Sequence, residues 1–287
     1  MDFLDRLIDL ALDEDLGPAG DVTTRALVPP EARGRAELWA KERMVLSGSE
    51  AFARVFARVG SDTRVRFLAR DGDEVGPRQK IAQLEGRLSS LLVAERTALN
   101  LLQRTCGIST LTRRAVEQLG RHVKVLDTRK TSPGMRGLSK LAVRAGGGAN
   151  HRFGLFDGVL IKDNHVAAVG GSVGEAIRRA RQRVSSLMKV EAEVTDLDML
   201  REAIAAGADV VLLDNMDDAQ LAEAVRIAAG RVALEVSGGV TIERLPALAR
   251  LGVDSVSMGA LTHSARAMDL SLEIITARPR RGGRARR

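Results

Sequence analysis

Apolar residues follow two different periods along the chain, and the change lies near residue 121. Between residues 34 and 86, apolar and polar positions alternate in GRAELWAKE, VRFLARDGDEV and KIAQLEG. Alternation with a period of two is typical of half-buried strands, and Asp71-Gly72 is a turn signal between strands. An amphipathic stretch, MDFLDRLIDLALDEDLG, precedes them. The pattern therefore predicts an amino-terminal helix followed by a small antiparallel sheet.

The segment from Ser89 to about Gly120 changes to helical spacing. Its apolar residues recur at intervals of three and four, in Leu91, Leu92, Ala94, Ala98, Leu101 and Leu102. This spacing predicts helix, and because glycine weakens a helix interior, we expect two helices interrupted near Gly107. The segment could bridge the two parts of the chain.

Beyond residue 121, short apolar runs alternate with amphipathic segments. The runs are VKVLD, GVLIKD, MKVEAEV, DVVLLDN, VALEV and DSVSMG. Such alternation is typical of βα units and a parallel sheet. Six runs approach the eight strands of a full (β/α) barrel, so a complete or incomplete barrel is favoured over an open doubly wound sheet.

Polar residues or glycine follow each of these six runs. They are Asp127, Arg129 and Lys130, then Lys162, Asp163 and His165, then Glu193, Asp214, Ser237-Gly238-Gly239 and Gly259. One such end would only reflect an exit into solvent. Because the loops after parallel strands converge on one face of an α/β fold, six in succession predict an active site at the carboxyl ends of the strands.

The stretch from Asp127 to His165 concentrates positive charge beside glycine. Between Arg129 and Lys162 it carries seven Lys or Arg residues and His151 against one acid, Asp157. Cations and backbone N–H groups bind carboxylates and phosphates, so we expect a polyanionic small molecule here. The glycines and the loop cations of this stretch are interpreted separately. The bare backbone of Gly146 to Gly148 could approach a ligand closely, whereas the helical spacing of LSKLAVRA favours a solvated helix face for the loop cations Arg136, Lys140 and Arg144.

Acidic residues and glycines supply the other half of the predicted site. Glu193 and Asp214 could bind sugar hydroxyls or hold Mg²⁺ through oxygen ligands. Glu191 points to the same face as Glu193, and one of the two could instead be a structural partner of a cation. The glycines near Ser237 and at Gly259 follow the last two strands, where barrels commonly bind phosphate. The composite predicts transfer of a phosphoribosyl group to an anionic acceptor.

Composition narrows the class of protein. The formal charge is +7, but six of the 44 cations lie in the last ten residues, RPRRGGRARR, and without them 38 cations face 37 acids. With 2% aromatic residues and no Tyr, the body lacks the stacking surfaces of a single-strand binder, so nucleic acid is not expected as a partner. There is no apolar run of about 18 residues and no secretory signal, so no membrane partner is expected. The single cysteine, Cys106, favours a cytoplasmic location.

The ordered motifs resemble those of the quinolinate phosphoribosyltransferase family over nearly the whole chain. They are EDLGPAGDVTT at 14 to 24, AERTALNLLQRTCGIST at 94 to 110, the stretch from Asp127 to His165, VEAEV, LLDNM, SGG and SMGALTHS. The resemblance implies an N-terminal α/β sandwich domain with a bridging helix at 1–110 and an incomplete, seven-stranded α/β barrel at 111–277. The composition of the Arg-rich tail at 278–287 predicts that it is disordered. The resemblance also implies a homodimer with shared active sites, and leaves higher assembly open.

The resemblance further implies the reaction and a role for each site residue. Quinolinate and phosphoribosyl pyrophosphate would react with Mg²⁺ to give nicotinate mononucleotide, pyrophosphate and CO₂ in NAD synthesis. Lys130, Lys162, Glu193 and Asp214 would be catalytic, and the last two would hold ribose hydroxyls or metal. Quinolinate would contact Arg129, His151, Arg152 and Lys162, while Lys130 would face quinolinate or pyrophosphate. Phosphate would bind Ser237, Gly238, Gly239, Gly259 and His263, and Arg104 would reach the partner subunit's site.

Two other functions stay open at this point. A paralogous phosphoribosyltransferase-like protein associated with molybdenum transport shares the fold and several motifs, although the TRKT, HR and KDNH set argues against it. A polyanion-binding protein that uses the Arg-rich tail would show nucleic-acid affinity that depends strongly on salt and disappears without residues 278–287.

Overall fold

The chain folds into two compact units. A computed structural model describes residues 3–120 and 122–275. Of the described residues, 3–106 and 267–275 form one unit, and those between 107 and 266 form the other. The predicted boundary at residue 110 thus lies close to the division, but the return of residues after 266 to the first unit was not indicated by the sequence pattern. The predicted disordered tail at 278–287 lies outside the described residues.

Helices and strands alternate along most of the chain. In order they are α1 (Phe3–Leu16), α2 (Val22–Leu27), β1 (Arg33–Ala40), β2 (Met44–Val45), α3 (Ser49–Val59), β3 (Arg64–Phe67), β4 (Glu74–Val75), β5 (Lys80–Arg87), α4 (Leu88–Leu119), β6 (Lys124–Leu126), α5 (Arg136–Ala145), β7 (Val159–Ile161), α6 (Asp163–Ala168), α7 (Val173–Arg183), β8 (Val190–Val194), α8 (Leu197–Ala205), β9 (Val210–Asp214), α9 (Asp218–Ala228), β10 (Ala233–Ser237), α10 (Leu245–Leu248), β11 (Ser255–Ser257), α11 (Ala260–His263) and β12 (Leu270–Ile275). No helix among the described residues is long and apolar enough to cross a membrane.

The first unit is built on an antiparallel sheet, as the alternating pattern predicted. The strand order is β12-β1-β5-β3, and a two-stranded pair of β2 and β4 accompanies it. Alternate residues of β1, including Ala36 and Leu38, are buried, which is the expected result of a sheet with one covered face. Phe52 of α3 packs with its ring 5.6 Å from that of Phe67 on β3. This helix was not predicted from the sequence.

Helix α4 is continuous for 32 residues, so the predicted interruption near Gly107 is wrong. A glycine in a helix interior costs only about 1 kcal/mol relative to alanine. On either side of Gly107, Cys106 and Ile108 are fully buried. The burial of these neighbours outweighs the glycine penalty, and residues of this one helix contribute to both units.

The second unit contains the six predicted βα strands, all parallel. Their order in the sheet is β6-β11-β10-β9-β8-β7. Beyond the free edge of β6, Ala149 forms an isolated parallel bridge with Leu126. The mixed α/β architecture with a separate antiparallel sheet is therefore confirmed, while the count of seven barrel strands stays a prediction. Apolar residues on one face of the parallel strands, such as Val211, Leu213 and Val236, form one core with the surrounding helices.

Side-chain caps begin three helices of the second unit, two of which, α8 and α9, directly follow a strand. Ser172 caps α7, Asp196 caps α8 and Asp217 caps α9, each accepting a hydrogen bond from a backbone N–H in the first turn. Such caps satisfy N–H groups that have no partner within the helix. They fix where each helix starts, and the caps of α8 and α9 thereby set the length of the loops that follow β8 and β9.

Candidate active site

The predicted site residues of the second unit converge on one cavity at the carboxyl edge of the parallel sheet. Its volume is about 870 Å³. Twelve of the thirteen residues predicted from the sequence line it: Arg129, Lys130, His151, Arg152, Lys162, Glu193, Asp214, Ser237, Gly238, Gly239, Gly259 and His263. The thirteenth, Arg104, lies on α4 in the first unit and is not among the lining residues.

Two guanidinium groups, those of Arg129 and Arg152, line the cavity. Burial lowers the pKa of Arg152, and the positive charge of Arg129 lowers it further. Nη1 of Arg152 donates to the carbonyl of Gly158 at 2.9 Å, which fixes the side chain in the loop before β7. Two guanidinium groups that line one cavity repel one another, so the site favours a ligand with more than one negative charge.

Lys162 and Glu193 form an ion pair across neighbouring strand ends. The ammonium of Lys162 lies 3.1 Å from Oε2 of Glu193, and the lysine side chain is about half exposed. Lys162 follows β7 and Glu193 lies near the end of β8, its neighbour in the sheet. Both groups line the cavity, so the lysine can bind an anion and the carboxylate can accept a hydrogen bond from a hydroxyl group.

Both ring nitrogens of His151 have partners in the protein. Nδ1 accepts the backbone N–H of Arg152 at 2.7 Å, and Nε2 lies 2.9 Å from Oε2 of Glu191. Burial alone lowers the pKa of His151, but the contact with Glu191 and the charge of Glu235 raise it overall. Because Nδ1 accepts the Arg152 N–H, it carries no proton in this geometry, and Nε2 is the nitrogen that donates to Glu191.

Two carboxyl groups lie buried beneath His151. Glu191 is 7% exposed and Glu235 is 2% exposed, and one oxygen of each has no hydrogen-bond partner among the described residues. Oε1 of Glu235 lies 3.8 Å from Nε2 of His151. Burial and the neighbouring charge of Glu191 raise the pKa of Glu235 to about 7. Like charges this close do not both ionise readily, so the cluster retains a proton near neutral pH.

A buried ion pair holds the loop that carries His151 and Arg152. The ammonium of Lys140 on α5 contacts Oδ1 of Asp127 and also donates to the carbonyl of His151 at 2.8 Å. Asp127 further accepts hydrogen bonds from the side chain of Asn150 and the backbone N–H of His151. Lys140 is only 4% exposed. The expectation of a solvated helix face is therefore wrong for Lys140, although Arg144 on the same helix is exposed.

The triple glycine Gly146 to Gly148 serves packing, so its predicted role near a ligand is wrong. A Cβ at Gly146 would lie 2.5 Å from the carbonyl oxygen of Ser109, and one at Gly148 would lie 2.8 Å from Cγ2 of Thr112. Both contacts are with α4, and none of the three glycines lines the cavity. The glycines let the turn after α5 pack closely on that helix.

Gly238 and Gly239 do line the cavity and adopt left-handed backbone conformations. Their φ angles are +89° and +57°. Successive residues in such turns can direct backbone N–H groups toward an anion. Next to them, a Cβ at Gly259 would lie 2.8 Å from Cδ of Lys130 and 3.2 Å from Nε2 of His263. The glycine therefore lets these two side chains approach one another at the rim.

Sequence reasoning missed several polar residues that line the cavity, and Asn215 and Glu235 are two of them. Asn215 has a φ of +55°, and its side chain donates to Oδ2 of Asp214 at 2.8 Å. A signal for Glu235 existed, because a carboxylate in the middle of the apolar run VALEV is exceptional in a buried parallel strand. The period of two also puts Glu235 on the same face as Ser237.

Glu193 and Asp214 supply carboxylate oxygens, the type of donor that Mg²⁺ prefers. Each engages one oxygen with a neighbour, Glu193 with Lys162 and Asp214 with Asn215. Mg²⁺ commonly binds one or two carboxylates and completes its coordination with water and substrate phosphates. The residues present therefore fit an ion that arrives with a phosphorylated substrate.

Comparison with known proteins gives a consistent result over nearly the whole chain. Two family models match: quinolinate phosphoribosyl transferase, N-terminal domain, over residues 21–106, and its C-terminal domain over residues 108–273. The chain is 42% identical over 272 residues to a Bacillus subtilis protein named probable nicotinate-nucleotide pyrophosphorylase (carboxylating), with 94% of this chain and 93% of that protein covered. It is 39% identical to the protein of the same name from Methanocaldococcus jannaschii, covering 96% and 98% of the two chains.

A solved structure agrees in fold and sequence. The nicotinate-nucleotide pyrophosphorylase from Francisella tularensis superimposes with a TM-score of 0.89 at 40% identity, covering 95% of this chain and 96% of that one. Human nicotinic acid phosphoribosyltransferase shares the fold alone, with a TM-score of 0.59 at 14% identity. The chain belongs to the quinolinate phosphoribosyltransferase family.

Proposed function

We propose that this chain transfers the phosphoribosyl group of phosphoribosyl pyrophosphate to quinolinate. The products are nicotinate mononucleotide, pyrophosphate and CO₂, in the synthesis of NAD. The observation that carries the proposal is the cavity itself, where paired guanidinium groups face carboxylates and a glycine turn. A dicarboxylate and a sugar phosphate require these opposite chemistries within reach of one another.

Quinolinate occupies the cationic side in this account. Arg129 and Arg152 each can hold a carboxylate in bidentate geometry, and Lys162 adds a mobile positive charge. Support comes from the cavity that all three line, and from the pKa of Arg152, which burial lowers and the charge of Arg129 lowers further. His151 contributes to the same side, and Lys130 serves either quinolinate or pyrophosphate.

Phosphoribosyl pyrophosphate occupies the acidic and glycine-lined side. Glu193 and Asp214 would hold the ribose hydroxyls or Mg²⁺, and Ser237, Gly238 and Gly239 would receive phosphate through backbone N–H groups. Gly259 and His263 extend this side toward Lys130. Bound Mg²⁺ would neutralise charge on the pyrophosphate leaving group.

The residues of the site catalyse the reaction mainly through preorganised charge. As pyrophosphate departs, C1 of the ribose gains oxocarbenium character, and Lys130 and neighbouring cations stabilise the departing anion. By binding its carboxylates, the arginines orient quinolinate so that its pyridine nitrogen faces C1 of the ribose. Once the C–N bond has formed, the pyridinium nitrogen accepts the electron pair released when the adjacent carboxylate leaves as CO₂. No organic cofactor is needed.

Assembly and location are part of the proposal. We expect a homodimer in which Arg104 completes the partner's site, in a cytoplasmic setting that agrees with the buried free thiol of Cys106. The names of the relatives refer to the carboxylating pyrophosphorylase or the decarboxylating transferase, so the paralogue associated with molybdenum transport is not favoured.

Coupled release of CO₂ tests the proposed function. Purified protein is supplied with quinolinate labelled in its C2 carboxylate, and labelled CO₂ is counted with and without phosphoribosyl pyrophosphate and Mg²⁺. Release is expected only when both are present, with one nicotinate mononucleotide formed for each CO₂. Release without phosphoribosyl pyrophosphate, or no release at all, rejects the proposal.

A further inference from the structure

The reaction requires a proton that neither substrate supplies at the reacting carbon. When the bond between C2 and its carboxylate breaks, the electron pair stays on C2 of the ring. Nicotinate mononucleotide carries hydrogen at that carbon, so a proton must be delivered there in every turnover. A donor needs to retain its proton at working pH and to lie at the site where quinolinate binds.

Glu235 combines these two properties. It lies in the middle of β10, lines the cavity, and is 2% exposed. Its Oε1 has no hydrogen-bond partner among the described residues and lies 3.8 Å from Nε2 of His151. By contrast, Lys162 is about half exposed and already paired with Glu193. Glu235 is therefore a buried acid at the floor of the cavity with an uncommitted oxygen.

The charges around Glu235 come from several elements and mostly favour its neutral form. Glu191 on β8 and Asp127 after β6 repel its ionised form, while His151 stabilises that form. Ser257 on β11 donates a hydrogen bond to it. Lys140 is paired with Asp127 and offsets the charge of that carboxylate. Burial outweighs the contacts that favour the ionised form, and a bound dianionic substrate adds further repulsion that keeps the proton on Glu235.

We propose that Glu235 is the acid that protonates C2 after decarboxylation. This role rests on the proposed function. The C2–carboxylate bond breaks and CO₂ leaves, the remaining electron pair on C2 takes the proton from the carboxyl group of Glu235, and a C2–H bond forms. Glu235 is left as a carboxylate and regains a proton from solvent before the next turnover. His151, next to it, provides a path for that return.

The test compares wild-type protein with Glu235→Gln, which keeps the size of the side chain but has no acidic proton. We expect kcat to fall about 100-fold while KM for quinolinate changes less than about threefold. In an equal mixture of H₂O and D₂O, the deuterium content at C2 of the product is expected to shift, because a different donor delivers the hydrogen. In wild-type protein, kcat is expected to fall at pH values above the pKa of Glu235.

Controls separate this role from a structural one. Glu223→Gln changes a carboxylate paired with Arg226 on α9, outside the cavity, and is expected to match wild type. Glu235→Asp retains an acid, so it is expected to recover activity relative to Glu235→Gln and to shift the alkaline limb of the kcat profile.

Two outcomes would overturn the role of Glu235. Neither affects the proposed function as long as the wild-type protein turns over. The first is an unchanged deuterium content in Glu235→Gln, whatever its kcat. The second, decisive if that variant does not fold, is a Glu235→Asp protein with the same pH profile as wild type. Wild-type protein that releases no CO₂ rejects the proposed function itself.

Discussion

At the scale of single residues, the second unit places several ionisable groups where water cannot solvate them. Asp127 is fully buried and Lys140 nearly so, yet each is the other's partner. Burial raises the pKa of Asp127, and the contacts with Lys140, Asn150 and the His151 N–H oppose that rise. A buried pair of this kind adds little to the free energy of unfolding, since desolvation offsets much of the attraction, but it holds its neighbours in position. Here those neighbours are the residues of the loop with His151 and Arg152.

Removing Lys140 should therefore cost far more than removing an exposed lysine. Lys140→Met leaves Asp127 buried without its counter-charge, and we expect the free energy of unfolding to fall by about 3–5 kcal/mol. Urea denaturation measures it. Adding Asp127→Asn should restore at least about 1 kcal/mol, because the amide needs no counter-charge. A single variant within about 1 kcal/mol of wild type would contradict the role given to the pair.

The buried acid Glu235 should make stability depend on pH in a defined direction. Its pKa in the folded protein is about 7, against an ordinary value of 4.5. The folded state thus binds the proton more tightly than the unfolded state, and this tighter binding stabilises the fold. The stabilisation is complete below about pH 4.5 and is lost as pH rises through about 7. We expect a loss of roughly 3 kcal/mol over that window in wild type relative to Glu235→Gln. Equal pH dependence in the two proteins would show that the shift is absent.

At the scale of elements, the carboxyl ends of six parallel strands determine which side chains meet. The sequence indicated this well, because the period of two and the turn from apolar run to polar end are local properties of each strand. It could not indicate the pairing of His151 with Glu191, which lie 40 positions apart, since such a contact depends on how the loop after α5 folds back. The same limit explains the error at Lys140, whose helical spacing is compatible with either a solvated or a buried face.

Glycines were ambiguous for a related reason. The sequence cannot distinguish a glycine that approaches a ligand from one that packs on a helix, and Gly146 and Gly148 belong to the second kind. The single continuous helix α4 likewise depends on burial around Gly107, which tertiary packing decides. The antiparallel partner β12 was also missed, because residues 270–275 pair with β1 from the opposite end of the chain.

The turn after β10 offers a matched pair of substitutions. Gly238 has a φ of +89° and a Cβ there would lie 2.8 Å from the backbone nitrogen of Asn215, whereas Gly239 has a φ of +57° and no atom within 4 Å. Both alanine variants carry left-handed strain of about 1–2 kcal/mol, but only Gly238→Ala adds a clash. We expect it to be less stable than Gly239→Ala by at least about 1 kcal/mol in thermal unfolding. Equal stabilities would contradict the close approach of this turn to Asn215.

At the scale of the whole molecule, the chain consists of two units, and the proposed dimer would complete each site with Arg104. Mixing subunits tests this sharing directly. Arg104→Ala subunits and Lys162→Ala subunits are each expected to be nearly inactive alone. A mixed dimer has one site with both residues intact, so a purified mixed dimer should recover about half of wild-type activity and random mixing about a quarter. No recovery in a confirmed mixed dimer would show that sites are not shared.

The central claim is that the cationic side of the cavity recognises a pyridine dicarboxylate. The most direct measurement is kcat/KM for quinolinate and for nicotinate, which lacks the C2 carboxylate, at fixed phosphoribosyl pyrophosphate and Mg²⁺. A charged carboxylate held by aimed guanidinium groups contributes at least about 3 kcal/mol, so quinolinate should be preferred by a factor of 100 or more. Turnover of nicotinate with equal or greater efficiency would contradict the account.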